Sequence, residues 1–117
     1  MKALIVNITF ASRKLQKTCE DQKERTRTYG PERAKLLALR LSQLRAAANL
    51  EVMRTLPQVR CHELTNNRKG QLAVDLKHPY RLIFEPANDP IPTKPDGGLD
   101  WTQVTAVNIL EVVDYHV

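Results

Sequence analysis

An α+β fold is predicted for this chain: an N-terminal strand, two helices, then a mostly antiparallel run of four strands, with the helices packed on one sheet face. Three observations predict it. Apolar residues recur at helical spacing between Ala34 and Ala48, and after Pro57 they switch to alternation. The helical segments precede the run of strands instead of alternating with it, which excludes a repeated strand–helix–strand order. With all helices on one side, the opposite sheet face is expected to stay partly open. At 117 residues the chain has room for one core and is expected to form a single domain over 1–117.

The elements follow in order. Residues 2–7 read as the first strand, and Ser12 suits the N-cap of a short helix running to about Asp21. Residues 22–29 are highly charged and are expected to form a loop or frayed turn. Gly30-Pro31 then opens the clearest helix, because proline suits its first position and Glu32 suits the positive end of its dipole. Ala34, Leu37, Leu41, Leu44 and Ala48 form its buried stripe, with Arg33, Lys35, Arg40 and Arg45 largely off it. Residues 59–64 form a candidate strand, and Asn66-Asn67 with Gly70 supply turn chemistry. Leu72, Val74 and Leu76 alternate with Gln71, Ala73 and Asp75 as a half-buried strand. Lys77-His78-Pro79 makes a tight connection. Tyr80, Leu82 and Phe84 then alternate with Arg81, Ile83 and Glu85, so Arg81 should point to the open face. Residues 86–100, with four prolines, read as a loop insertion between paired strands, anchored by Trp101. Residues 104–113 form the last and longest strand.

Composition narrows the function. The net charge of +5 is carried by the helical half: residues 11–45 hold ten Lys/Arg against four Asp/Glu, a balance of +6, and the remainder balances at −1. Such a field attracts a polyanion or an acidic protein partner. No apolar stretch is long enough to span a bilayer and the N-terminus has no signal-peptide pattern, so a cytoplasmic protein without a membrane partner is expected. Cys19 and Cys61 lie far apart, with no spacing that suggests zinc, and are expected to be reduced thiols. No metal or cofactor is expected.

The residues with chemistry to offer lie in the second half. The chain ends Asp114-Tyr115-His116-Val117, placing a carboxylate, a phenol and an imidazole side by side. His62, Arg68 and Arg81 lie upstream in strand-like sequence. On a basic protein this set suggests chemistry on a phosphodiester.

Arg60-Cys61-His62-Glu63-Leu64, Asn66-Asn67-Arg68-Lys69-Gly70, Tyr80-Arg81-Leu82-Ile83-Phe84 and the terminal Asp114-Tyr115-His116, in that order, resemble the HigB branch of the RelE/ParE toxin superfamily. The resemblance covers residues 29–117 well and the first 28 weakly. It implies a toxin of a type II toxin–antitoxin system that enters the ribosomal A site and cuts mRNA there. It also implies a HigA-like helix-turn-helix antitoxin, and a toxin–antitoxin complex that could sit on operator DNA. Carried over position by position, His62, Asp114, Tyr115 and His116 would be catalytic, and Arg68 and Arg81 would hold phosphate or RNA, with Lys69 beside Arg68 as a further candidate contact. Lys14, Lys17, Arg33, Lys35, Arg40 and Arg45 would contact rRNA or the antitoxin. Two departures stand out: Asn66-Asn67-Arg68 replaces the more common Gly-Asp-Arg turn, and the 86–100 segment is longer than in compact members.

The chemistry asks for these residue types on its own terms. Attack by the RNA 2′-hydroxyl needs a base near that hydroxyl, an acid near the departing 5′-oxygen and cations around the phosphorane. Histidine serves as base or acid near neutral pH, and arginine matches a phosphate with its rigid fork of donors. Two other readings stay open: a non-catalytic ParE-type binder that inhibits DNA gyrase, and a relative that has lost its toxicity.

Overall fold

The computed structural model describes residues 5–114. Met1 to Leu4 and Tyr115 to Val117 therefore lie outside the described residues, and with them half of the expected first strand and two members of the terminal triplet. The elements are β1 (Asn7–Phe10), α1 (Arg13–Glu20), α2 (Gln22–Tyr29), α3 (Pro31–Ala46), α4 (Glu51–Arg54), β2 (His62–Glu63), β3 (Leu72–Asp75), β4 (Tyr80–Pro86) and β5 (Ala106–Asp114). Short 3-10 turns occupy Asn66–Arg68 and Trp101–Gln103. The strands form one sheet in the order β1-β5-β4-β3-β2. β2 to β5 are antiparallel neighbours, and β1 joins parallel to β5. The α+β class read from the sequence is the one observed, with four helices where two were expected: 22–29 and Glu51–Arg54 are helical as well.

Helix starts obey local chemistry. The Ser12 hydroxyl accepts the Leu15 N–H, and the Asp21 carboxylate accepts the Glu24 N–H. Each satisfies a donor that the first helical turn leaves without a partner. Asp21 both ends α1 and caps α2, so the charged 22–29 segment is helical, contrary to the expected loop. Gly30 separates α2 from α3 at φ 84, a left-handed conformation that glycine adopts without a Cβ clash. The first strand starts late against the expected 2–7: of its described residues 5–7, only Asn7 belongs to β1.

α1, α3 and α4 bury one face against the sheet. Cys19, Leu37, Leu41, Leu44 and Met53 pack with Val74, Leu82, Phe84, Val107 and Ile109 in the main core. Two expectations for α3 fail. Ala48 is exposed and Ala47 takes its place in the core, because the helix ends at Ala46. Arg40, expected on the solvent side, is 5 % exposed. Its Nε donates to the Asp75 carbonyl at 2.7 Å, Nη2 to the Gln58 carbonyl at 3.3 Å and Nη1 to the Gln43 side chain at 3.2 Å. Burial pulls this guanidinium below its ordinary range, and the nearby Asp75 carboxylate offsets the shift. Arg40 thus ties α3 to β3 and is withdrawn from any contact surface.

The sheet alternates as the period requires, with one irregularity. Ile83 pairs with Glu111 and Phe84 with Ile109, so Leu110 is an extra residue on β5. The bulge returns Val112 to the core side and turns Glu111 to the opposite face. That face is less open than expected: Ala73, Ile83 and Leu64 are buried there, with Leu110 and Val113 packed beside them. β3 is consequently buried on both sides and not half-buried. β2 is also shorter than the expected 59–64 strand, because Arg60 at φ 52 breaks extended geometry.

Trp101 is buried, donates its indole N–H to Glu63 at 3.0 Å and lies under the Arg54 guanidinium at 3.8 Å. It therefore fastens the end of the 86–100 insertion to β2 and α4. Within the insertion, Thr93 and Leu99 bridge in antiparallel fashion.

Cys19 and Cys61 are buried and free. Desolvation pushes the Cys61 thiol up to about 12, with Arg54 opposing, and the Cys19 thiol up to about 11, with Arg25 opposing. Between an ordinary thiol value of 9.0 and these raised values, the folded chain retains protons that the unfolded chain has lost. Their stabilising contribution is complete below the unfolded value and disappears as pH rises through the folded ones. Tm is expected to fall between about pH 9 and about pH 11, and a Cys19→Ala/Cys61→Ala variant is expected to lose part of that slope. Calorimetry across this range checks it.

Candidate active site

The sheet face away from the helices collects the chemistry. His62, Ala73, Ile83 and Glu111 stand in one row across β2, β3, β4 and β5. Asp75, Arg81 and Val113 form the next row. Arg81 thus lies on the face predicted from the β4 period. Its Nε is 3.3 Å from Asp75 Oδ1, and Arg60 Nε is 3.3 Å from the other oxygen, Oδ2. One carboxylate therefore holds two arginines.

His62 is fixed through its backbone neighbour. Its Nδ1 lies 2.7 Å from the Arg60 carbonyl. A carbonyl only accepts, so Nδ1 carries a proton and Nε2 is left as the proton-exchanging nitrogen. The geometry at Arg60 produces this contact, since its left-handed backbone directs the carbonyl to the ring two residues on.

Arg68 enters from the turn between β2 and β3. Asn66 at φ 58 starts this turn, and Gly70 at φ 92 closes it, both suited to left-handed backbone. The Arg68 Nη1 reaches Glu111 on β5 at 2.9 Å and Gln71 at 3.0 Å. The side chain bridges the connection and β5, beside the small apolar patch of Ala73 and Ile83. Without the bulge at Leu110, Glu111 would face the core and this pair could not form. Lys69 follows on the turn and is exposed.

Asp114 is the last residue of β5 and sits opposite Tyr80. By alternation it shares the side of Val112 and not that of Arg81. Tyr115 and His116 lie outside the described residues. The structure therefore gathers His62, Arg68 and Arg81 on one face and leaves Asp114 at the strand end, with its side chain on the other.

The basic helical residues divide. Lys14 and Lys17 on α1 and Lys35 on α3 are exposed. Arg45 pairs with Glu20 at 3.0 Å, and Arg33 lies 4.0 Å above the Tyr80 ring. Arg40 is the structural clamp described above. Arg60, Asp75 and Glu111 were not singled out in the sequence as site residues. Only Asp75 carried a signal, as an acidic neighbour of Arg81 in the alternating pattern. Among the described residues, no cluster of three His, Cys, Asp or Glu is placed to hold a metal ion. No helix among them is long and apolar enough to cross a membrane.

No protein-family model and no curated protein matches the sequence. Solved structures do match. A YoeB–YefM complex from Staphylococcus aureus superposes with a TM-score of 0.52 at 17 % identity, covering 96 % of this chain and 98 % of the other. A YoeB dimer from the same organism gives 0.53 at 18 % identity over the same shares. The chain has the YoeB fold. The agreement extends over nearly the whole length of both chains. At this identity the likeness is one of backbone arrangement, and the site chemistry has to be argued from this chain's own residues.

Proposed function

We propose that the protein is the toxin of a type II toxin–antitoxin system and acts as a ribosome-dependent mRNA endonuclease. The observation that carries this is the gathering of His62, Arg68 and Arg81 on one sheet face, bounded by the strand from which Asp114-Tyr115-His116 continues. The YoeB fold supports it, and so does the resemblance of the ordered motifs to HigB toxins. YoeB in complex with YefM supports an antitoxin partner for this chain, for which a HigA-like helix-turn-helix protein is our choice. A complex with that partner would be the form that binds operator DNA.

The chemistry is a transesterification. A base takes the proton of the 2′-hydroxyl, the 2′-oxygen bonds to phosphorus, and the bond from phosphorus to the 5′-oxygen breaks. An acid returns a proton to the leaving oxygen, yielding a 2′,3′-cyclic phosphate and a 5′-hydroxyl. His62, through Nε2, and His116 supply the two proton transfers. Arg81 and Arg68 stabilise the phosphorane charge, with Lys69 beside them. Asp114, placed by alternation on the other side of β5, orients or polarises His116 or contacts the 2′-hydroxyl from the strand end, and Tyr115 stacks on a base or donates a proton. Lys14, Lys17 and Lys35 give the exposed cationic surface for rRNA phosphates, an interaction that weakens steeply with salt.

The test is cleavage of end-labelled mRNA by the purified protein with and without programmed ribosomes. Cleavage within the A-site codon that requires the ribosome is the expected result. A folded, antitoxin-free protein that leaves mRNA intact would overturn the enzyme reading, and supercoiling by DNA gyrase would then be assayed.

A further inference from the structure

We propose that Arg60 is a phosphate-binding residue of this site, acting as a pair with Arg81 across the shared carboxylate of Asp75. The proposal rests on the endonuclease reading above.

Arg60 adopts φ 52 although it is not glycine. A residue held in that region is strained, and such strain points to a use when the surroundings maintain it. Two contacts maintain it here. The carbonyl meets His62 Nδ1 at 2.7 Å, and the guanidinium Nε meets Asp75 Oδ2 at 3.3 Å. The Arg60 side chain is 71 % exposed, and an ion pair so open to water adds little to stability. Folding energy therefore does not account for its placement.

The geometry suits an anion. Arg60 is gripped through Nε, which leaves its Nη1 and Nη2 edge without a partner among the described residues. That edge presents two donors in the fixed spacing that a phosphate accepts. Arg60 and Arg81 thus meet at one carboxylate on the face that also carries His62. The carboxylate stands on a rigid base: the Asp75 N–H donates to the Val59 carbonyl at 2.8 Å, and its own carbonyl accepts from the buried Arg40. Arg60 is tied to His62 through its backbone as well, since its carbonyl sets the tautomer of that ring.

Arg60→Gly separates the side chain from the backbone, because glycine takes φ 52 without strain. Single-turnover cleavage of mRNA on programmed ribosomes is compared for wild type, Arg60→Gly and Arg60→Lys over a range of salt. Arg60→Gly is expected to keep the wild-type Tm and to cut about tenfold more slowly at low salt, with the gap narrowing as salt rises. Arg60→Lys is expected to recover part of the rate, as a point charge without the fork. Should glycine lower the Tm, Arg60→Asn, which also tolerates left-handed backbone, replaces it. Wild-type rates in Arg60→Gly at every salt would overturn the assignment of Arg60 alone. A wild-type protein that does not cut would overturn the endonuclease reading, and this proposal with it.

Discussion

Replacing Arg40 by methionine is expected to destabilise the protein by about 3 kcal/mol and to lower its Tm by roughly 10 °C. The methionine fills much of the aliphatic volume, so the loss comes from polar groups and not from a cavity. The Asp75 and Gln58 carbonyls lose their donor, and the Gln43 side chain loses its partner. A buried acceptor left unpaired costs about 1–3 kcal/mol. Arg40→Lys is expected to cost less, because one ammonium can keep only part of a three-way contact. Thermal and urea unfolding check both variants. An unchanged Tm with weaker ribosome binding would instead return Arg40 to the contact surface where its charge first placed it. The same variant should also loosen the site, since Asp75 joins the clamp to the two-arginine face.

His62→Ala is expected to slow ribosome-dependent cleavage by about 10²–10⁴-fold, the usual contribution of a positioned proton-transfer group. His116→Ala is expected to cost a similar factor. Because the two transfers serve one step, the double variant should lose less than the product of the single losses. Stability should change little at His62, since its hydrogen bond among the described residues is to a neighbouring carbonyl in an exposed setting. Nitrogen-15 spectra of the neutral imidazole offer a check independent of activity, because the contact requires the Nδ1-protonated tautomer. A His62→Ala protein that cuts at the wild-type rate would remove His62 from the mechanism. An Nε2-protonated ring would remove the positioning role of the Arg60 carbonyl.

Where several of the candidate residues stand was legible, for reasons of period and local chemistry. Arg81 follows from the alternation of Tyr80, Leu82 and Phe84, which needs no tertiary information once one face is known to be buried. Arg68 follows from a turn marked by Asn66 and Gly70. Arg40 was misplaced for an instructive reason. It falls three residues after Leu37 and four before Leu44, so helical spacing puts it in the buried stripe, and only its charge argued for solvent. A buried guanidinium is tolerated because carbonyls of β3 and of the segment before β2 meet it, and those partners lie far along the chain. Arg60 could not be found at all, because nothing in Val59-Arg60-Cys61 announces a left-handed arginine.

The sequence by itself determined where α1 and α3 begin, which strand residues face the core and which cations and imidazoles the chain can offer. These properties depend on capping groups, proline, glycine and the two periods, all acting within a few residues. Only the tertiary structure decided that α2 packs against both α1 and α3. It alone set the parallel pairing of β1 with β5, the bulge that turns Glu111 toward Arg68, and the sharing of Asp75 by Arg60 and Arg81. Each of these rests on contacts between segments distant in sequence, whose energies appear only when the sheet has closed around them.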